Sequence, residues 1–193
     1  ENDVTTAALT FTDRAVLGGE LTLNLVSQDF AATYGATASA NGTFILNGQP
    51  TLDQSRIVAE KHGVRTTWVR TFAQAGNLGV VTGFDYLADE TAQVLVLTNR
   101  TWVPFTTFRG WSPYVQLEKP FGPLTLSGGL RYEFAELEVD DFTTLESSGS
   151  TFVRGGNPSF EEPLLNLGAN WRIDDTVTVF GGFAQGYGMA DIG

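Results

Sequence analysis

Two stretches of this chain alternate between apolar and polar residues for longer than an ordinary strand, and that length constrains the fold more than any other feature. In Leu124-Thr125-Leu126-Ser127-Gly128-Gly129-Leu130-Arg131-Tyr132-Glu133-Phe134 the even positions are apolar apart from Gly128, while the odd ones are Thr, Ser, Gly, Arg and Glu. Leu165, Leu167, Ala169, Trp171 and Ile173 share a second such face, opposite Asn166, Gly168, Asn170 and Arg172. A period of two sends successive side chains to opposite faces of a strand. Strands of soluble sandwiches run about five or six residues, whereas a strand tilted by about 45° needs roughly ten to cross a bilayer. The length therefore predicts an all-β fold, an antiparallel transmembrane β-barrel.

Each stretch has a partner. Before the first, Val115 and Leu117 face away from Tyr114, Gln116 and Glu118, and Pro120-Phe121-Gly122-Pro123 supplies the turn. After the second, Asp174-Asp175 turns the chain into a return strand. There Val177, Val179, Phe183 and Tyr187 oppose Thr178, Gly182, Ala184 and Gly186, with Phe180 as the exception. Nearer the N-terminus, residues 5 to 12 alternate Ala7, Leu9 and Phe11 with Thr6, Thr10 and Thr12, and residues 13 to 19 read as a turn. Leu21, Leu23 and Leu25 then alternate with Thr22 and Asn24. A strand over 56–72 opposes Arg65, Thr67 and Thr71 to Val64, Trp68 and Phe72, and residues 74 to 77 turn it back. Leu78, Val80, Thr82, Phe84 and Tyr86 continue opposite Gly79, Gly83 and Asp85, with 92–97 as an extension. The reading gives about eight strands, joined alternately by short turns and by long loops over 35–55, 91–109 and 138–162. Outer-membrane barrels carry short turns on the periplasmic side and long loops outside.

Composition narrows the function. Eleven basic residues against 22 acidic ones give a net charge of −11, so no basic surface is available to neutralise phosphates and no nucleic-acid partner is expected. Glu136, Glu138, Asp140, Asp141, Glu146, Glu161 and Glu162 are assigned to loops. Cysteine is absent, which removes disulfides and thiolate metal sites. No apolar run reaches the roughly 20 residues of a spanning helix, and any signal peptide is expected outside this chain. The single histidine, His62, and the lack of nucleophile or phosphate-loop motifs predict that the chain is not an enzyme. Asp140-Asp141 and Asp174-Asp175 lack the spaced oxygens of a calcium loop and read as loop charge and turn residues. No metal site is expected. Asn41-Gly42-Thr43 and Asn99-Arg100-Thr101 match the glycosylation pattern by coincidence.

The segments Ser112-Pro113-Tyr114-Val115-Gln116-Leu117-Glu118, Leu124 to Tyr132, Gly155-Gly156-Asn157-Pro158-Ser159-Phe160, Asn166-Leu167-Gly168-Ala169 and Gln185 to Gly193 together resemble the barrel of TonB-dependent outer-membrane receptors, the ferric-siderophore type in particular. The resemblance implies a 22-strand barrel in outer-membrane lipid around an N-terminal plug. It also implies an energised TonB complex acting through the plug region, a ferric chelate as transported cargo, and no covalently bound cofactor. Residues 1–193 are then expected to be a β-barrel segment without plug domain, signal peptide or closing strand. The alternative is a complete eight-stranded barrel with a structural or adhesion role.

Within the loop assigned to residues 100–111, Arg100, Trp102, Phe105 and Arg109 are the ligand candidates, because guanidinium groups and aromatic faces suit anionic, oxygen-rich chelates. An aromatic girdle at the membrane interface is the competing explanation. It is favoured for Trp111, and stays open beside the ligand role for Arg100 and Trp102. By parity Arg131, Glu133, Asn166 and Arg172 face the lumen, to touch plug or cargo or to pair across strands.

Overall fold

Leu, Val, Thr and aromatic side chains fill the alternating runs, and such residues suit a pleated surface. A computed structural model describes residues 2–35, 43–186 and 188. Its strands, in chain order, are β1 (Asn2–Val16), β2 (Gly19–Thr33), β3 (Thr43–Leu46), β4 (Gln49–Leu52), β5 (Ser55–Phe72) and β6 (Leu78–Leu95). They continue with β7 (Thr101–Phe121), β8 (Leu124–Val139), β9 (Phe142–Thr143), β10 (Phe152–Val153), β11 (Ser159–Arg172) and β12 (Thr178–Ala184). Eight of them form one antiparallel sheet in the order β1-β2-β5-β6-β7-β8-β11-β12. Sequence neighbours are thus spatial neighbours, and β1 and β12 are open edges among the described residues.

Register carries the two-faced pattern across the whole sheet. Leu21 stands opposite Trp68, Trp68 opposite Thr82, Thr82 opposite Val115, Val115 opposite Leu130 and Leu130 opposite Leu165. On the other face Asn24 stands opposite Arg65, Arg65 opposite Asp85 and Asp85 opposite Ser112. Among the described residues no second layer covers the apolar side: Leu9 and Leu167 are each 63% exposed and Trp171 51%. A contiguous apolar surface of this size needs a partner.

The short turns are held by specific bonds. Leu17 and Gly18 both have positive φ, 50° and 73°, the two-residue hairpin whose twist matches that of its strands. Trp68 Nε1 donates to the Val16 carbonyl at 2.9 Å and Arg70 Nη1 to the Leu17 carbonyl at 2.6 Å. Lys119 reaches from the apolar side to the carbonyls of Ala75 and Gly76. Both cations thereby keep their heads at the turn end while their stems cover apolar surface. Asp174 Oδ1 accepts from Thr176 N, Thr176 Oγ1 and Val177 N at 2.7–2.9 Å. These bonds hold its carboxyl below the ordinary range.

The structure corrects several boundaries. The loop expected over 91–109 shrinks to 96–100, since β6 runs to Leu95 and β7 begins at Thr101. Thr101, Val103, Phe105, Thr106 and Thr107 are strand formers. Pro104 is accommodated where the register shifts, between the Thr91–Thr106 and Gln93–Val103 pairs, and such a bulge needs no ladder N–H from it. The loop read over 35–55 contains the β3–β4 hairpin, and the one over 138–162 contains β9 and β10. Glu136 and Glu138 lie on β8, and Glu161 and Glu162 on β11, so these four are strand residues rather than loop charge. The first turn is two residues, not 13–19, because β1 extends to Val16. Tyr187, Asn41 and Gly42 lie outside the described residues.

Candidate functional site

Five polar residues from four adjacent strands meet on the polar face. Parity aims Arg65 (β5), Asp85 (β6), Ser112 (β7), Arg131 and Glu133 (β8) the same way, and register brings them level. Asp85 is the hub. Its Oδ1 accepts from Arg65 Nε at 2.9 Å and its Oδ2 from Arg131 Nη1 at 2.8 Å. Arg131 Nε continues the chain to Glu133, whose other oxygen accepts from the Ser112 hydroxyl. Two guanidinium and two carboxylate groups balance in charge, and Asp85 is only 17% exposed. Arg65, at 66%, is the most open member.

Tyr114 extends the cluster. Arg131 lies 5.7 Å from its ring centroid, within cation–π range, and its hydroxyl bonds Thr67 Oγ1 at 2.8 Å and the Thr66 carbonyl at 3.3 Å. The ring crosses β6 at Gly83, where a Cβ would come within 2.7 Å of it. Glycine is required there by close approach. Beside the cluster lies a cavity of about 480 Å³, whose lining includes Val26, Gly63, Leu87, Phe108, Arg65 and Arg131.

Of the lumen-facing candidates, the structure joins Arg131 and Glu133 directly. Asn166 lies against Gly129 on the neighbouring strand, its amide filling the space a Cβ would take. Arg172 stands at the turn end opposite Thr178, away from the cluster. Asp85, Arg65, Ser112 and Tyr114 belong to this cluster and are not among the residues the sequence singles out. Parity placed Asp85 and Arg65 on the polar face, but only register shows that they meet.

The four ligand candidates separate. Phe105 lines a cavity with Asp29, Val58, Glu60 and Glu90, and Arg109 bonds Glu138 at 3.2 Å near the stacked rings of Trp111 and Phe134. Trp102 is half-buried in β7. Arg100 lines a cavity at the long-connection end, about 320 Å³, with Thr101, Thr143, Thr144, Leu145, Glu146 and Ser150. The two connections that shape it are folded. Leu145 and Leu95 are buried, and Asp53 ties the segment before β5 to the 96–100 turn through bonds to Leu97 and Thr98. Burial pushes the Asp53 carboxyl up, but bonds from the Thr98 hydroxyl and from the N–H groups of Leu97, Gln54 and Thr98 bring it below the ordinary range. Nothing in the sequence signals this knot, because its partners are far apart along the chain.

Among the described residues no group of three or more His, Cys, Asp or Glu is arranged to hold a metal ion. A family model described as TonB dependent receptor-like, beta-barrel, matches residues 2–193. A rhizobactin receptor of Rhizobium meliloti (strain 1021) is 30% identical over 77 residues, covering 35% of this chain and 10% of that receptor. Among solved structures, the copper transporter OprC superposes with a TM-score of 0.72 over 94% of this chain, at 14% identity, a likeness that shows the fold alone. The chain covers 30% of the OprC chain.

Proposed function

Because this chain belongs to the family of TonB-dependent receptor-like β-barrels, which are proteins of the bacterial outer membrane, we propose that it forms part of the wall of a receptor importing ferric siderophores or similar metal chelates. The observation that carries this reading is the contrast between the two ends of the sheet. One end is closed by tight turns. The other carries the β3–β4 and β9–β10 hairpins and the Asp53 knot, and a cavity lined by Arg100, Thr101 and residues 143–146 and 150. A binding end opposite a plain one suits a receptor that captures cargo on one side of a membrane. The similarity to a rhizobactin receptor supports a chelate as cargo, and the likeness in fold to a copper transporter is compatible with metal import.

In this reading the apolar face meets lipid and the Asp85 cluster faces the lumen, where it touches a plug or passing cargo. The long connections are extracellular, and energy comes from the TonB complex through a plug region. The test uses the full-length parent in its own outer membrane. Ser148→Cys should be labelled by an impermeant thiol reagent on intact cells, while Gln74→Cys and Asp174→Cys should resist it. Deletion of the parent should abolish energy-dependent uptake of at least one radiolabelled ferric chelate. Labelling at the turn end would invert the orientation, and unchanged uptake of ferric chelates and copper would remove the transport reading.

A further inference from the structure

The apolar face carries opposite charge at its two ends. Toward the long connections Asp29 stands opposite Glu60 and Glu60 opposite Glu90, and the cation there, Arg109, pairs with Glu138 at 3.2 Å. At the turn end the same face carries Arg70 on β5 and Lys119 on β7. Among the described residues neither has a carboxylate within ion-pair reach, whereas Arg14, Lys61, Arg65, Arg109 and Arg131 all do. In a chain of 22 acidic and 11 basic residues, two such cations on one patch stand apart from the rest. Arg70 Nη1 donates to the Leu17 carbonyl at 2.6 Å, and its guanidinium lies over Gly18 and 4.5 Å from the Phe72 ring. Lys119 Nζ donates to the Ala75 and Gly76 carbonyls, 5.9 Å from the Phe121 ring. These bonds are exposed, and a guanidinium with five N–H groups or an ammonium with three has donors to spare. Phe72, Leu78, Val80 and Leu117 make an apolar bed beside the two heads, with Arg70 opposite Val80 and Val80 opposite Leu117.

We propose that the turn end of the apolar face is a binding site for net-anionic phospholipid, with phosphates held by Arg70 and Lys119 and acyl chains laid over the apolar bed. The proposal rests on the part of the reading above that sets this face against lipid, and not on the cargo. Charge selects the occupant. A guanidinium binds phosphate oxygens through paired, charge-assisted bonds, and an ammonium binds them as a point charge. A zwitterionic headgroup brings an ammonium of its own, which the two cations repel and which no carboxylate of this patch receives. Long basic side chains with stems on apolar surface and heads at headgroup level already have the posture that such contact needs. The two cations stand on strands two places apart, roughly 10 Å, so each takes a phosphate of its own and their contributions are separable.

Native mass spectrometry of the full-length parent tests this, with the protein purified in mild detergent and given equal amounts of phosphatidylglycerol and phosphatidylethanolamine of matched acyl chains. Phosphatidylglycerol should be retained over phosphatidylethanolamine by about threefold to tenfold. Arg70→Gln and Lys119→Gln should each lower that ratio by about twofold to threefold, and the double variant should bring it to about one. The paired change Arg70→Lys with Lys119→Arg keeps both charges and should keep the preference, which separates loss of charge from loss of fold. Arg109→Gln, at the other end of the face, should leave the ratio unchanged. The single variants decide the matter if the double one does not fold. Equal retention of the two lipids by the unaltered protein overturns the site while leaving lipid contact of the face in place. Retention of neither lipid overturns it as well. A preference that survives the glutamine variants, that is lost in the charge-keeping pair, or that falls as far with Arg109→Gln belongs to another part of the molecule and also overturns the proposal.

Discussion

Leu130 and Arg131 are neighbours in the chain and live in different surroundings. Leu130 stands in a row of apolar side chains with Val115 and Leu165 and is 43% exposed. Arg131, one residue on, is held by Asp85 and Glu133 over the Tyr114 ring. The apolar face is organised mainly by contact, as in the Trp111–Phe134 stack at 3.8 Å and the Tyr132–Phe134 pair at 4.4 Å, with hydrogen bonds at its ends such as Arg109 to Glu138. The polar face is organised by hydrogen bonds that cross strands. The same backbone serves both, so parity alone decides which chemistry a residue enters.

The hardest test of that difference places one charge on either side. Arginine at mid-membrane on a lipid face costs about 2–4 kcal/mol, and much less on the inner face. Leu167→Arg should therefore destabilise the full-length barrel by about that amount. Asn166→Arg, adjacent in sequence and facing Gly129, should change little. Reversible unfolding in lipid vesicles measures both, and equal effects would end the assignment of faces.

Cutting the polar network at its hub comes next. Asp85→Ala strands two guanidinium groups at once and should cost about 1–3 kcal/mol, the penalty for charged partners left unsatisfied. Arg65→Gln removes the most exposed member and should cost less than about 1 kcal/mol. The double variant should fall short of the sum, because both changes touch one network. Additive losses in the same unfolding assay would show that the cluster is a set of independent pairs.

Much of this contrast is legible in the sequence. The alternation of Leu124 to Phe134 predicts both faces of β8, and the alternation of short turns with long loops predicts the eight strands. The strand ends are less legible, because the signal there comes from pairing rather than pattern. Pro104 reads as a loop residue until the shifted register beside Val103 is seen, and Glu138 reads as loop charge until Thr107 stands opposite it. The site is less legible still. Arg100 and Arg131 were selected on residue type and parity, but their partners Thr98 and Asp85 follow only from register and from folded connections.

The long-connection end carries polar chemistry of its own, and Asp53 should make it sensitive to acid. Its folded carboxyl lies below the ordinary range. The unfolded value is near 3.9, so its contribution is complete above that pH and is lost as pH falls through the folded value. Amide exchange at Leu97 and Thr98, corrected for intrinsic rates, should lose protection below about pH 4. Strand amides near Leu130 should keep theirs. Asp53→Asn should remove the acid dependence of the turn, and an acid response surviving that change would assign it to another group.

The smallest expected effect makes the finest comparison, because one substitution can be placed on both faces. Tyr114→Phe on the polar face deletes a hydroxyl that bonds Thr67 at 2.8 Å and the Thr66 carbonyl at 3.3 Å, beneath a ring seated on Gly83. Tyr132→Phe on the apolar face deletes a hydroxyl whose bond to Glu161 is 3.4 Å long and exposed. A net hydrogen bond contributes about 0.5–1.5 kcal/mol when it is well made and enclosed, so Tyr114→Phe should cost within that range. At the geometric limit in an exposed position, the Tyr132 bond should contribute close to nothing, and the ring keeps its stack on Phe134 in either form. Equilibrium unfolding of the two single variants separates them, since both remove the same atom from the same residue type. A larger loss for Tyr132→Phe would mean that its hydroxyl has a partner in the membrane interface. The apolar face would then be organised by more than contact at its aromatic edge.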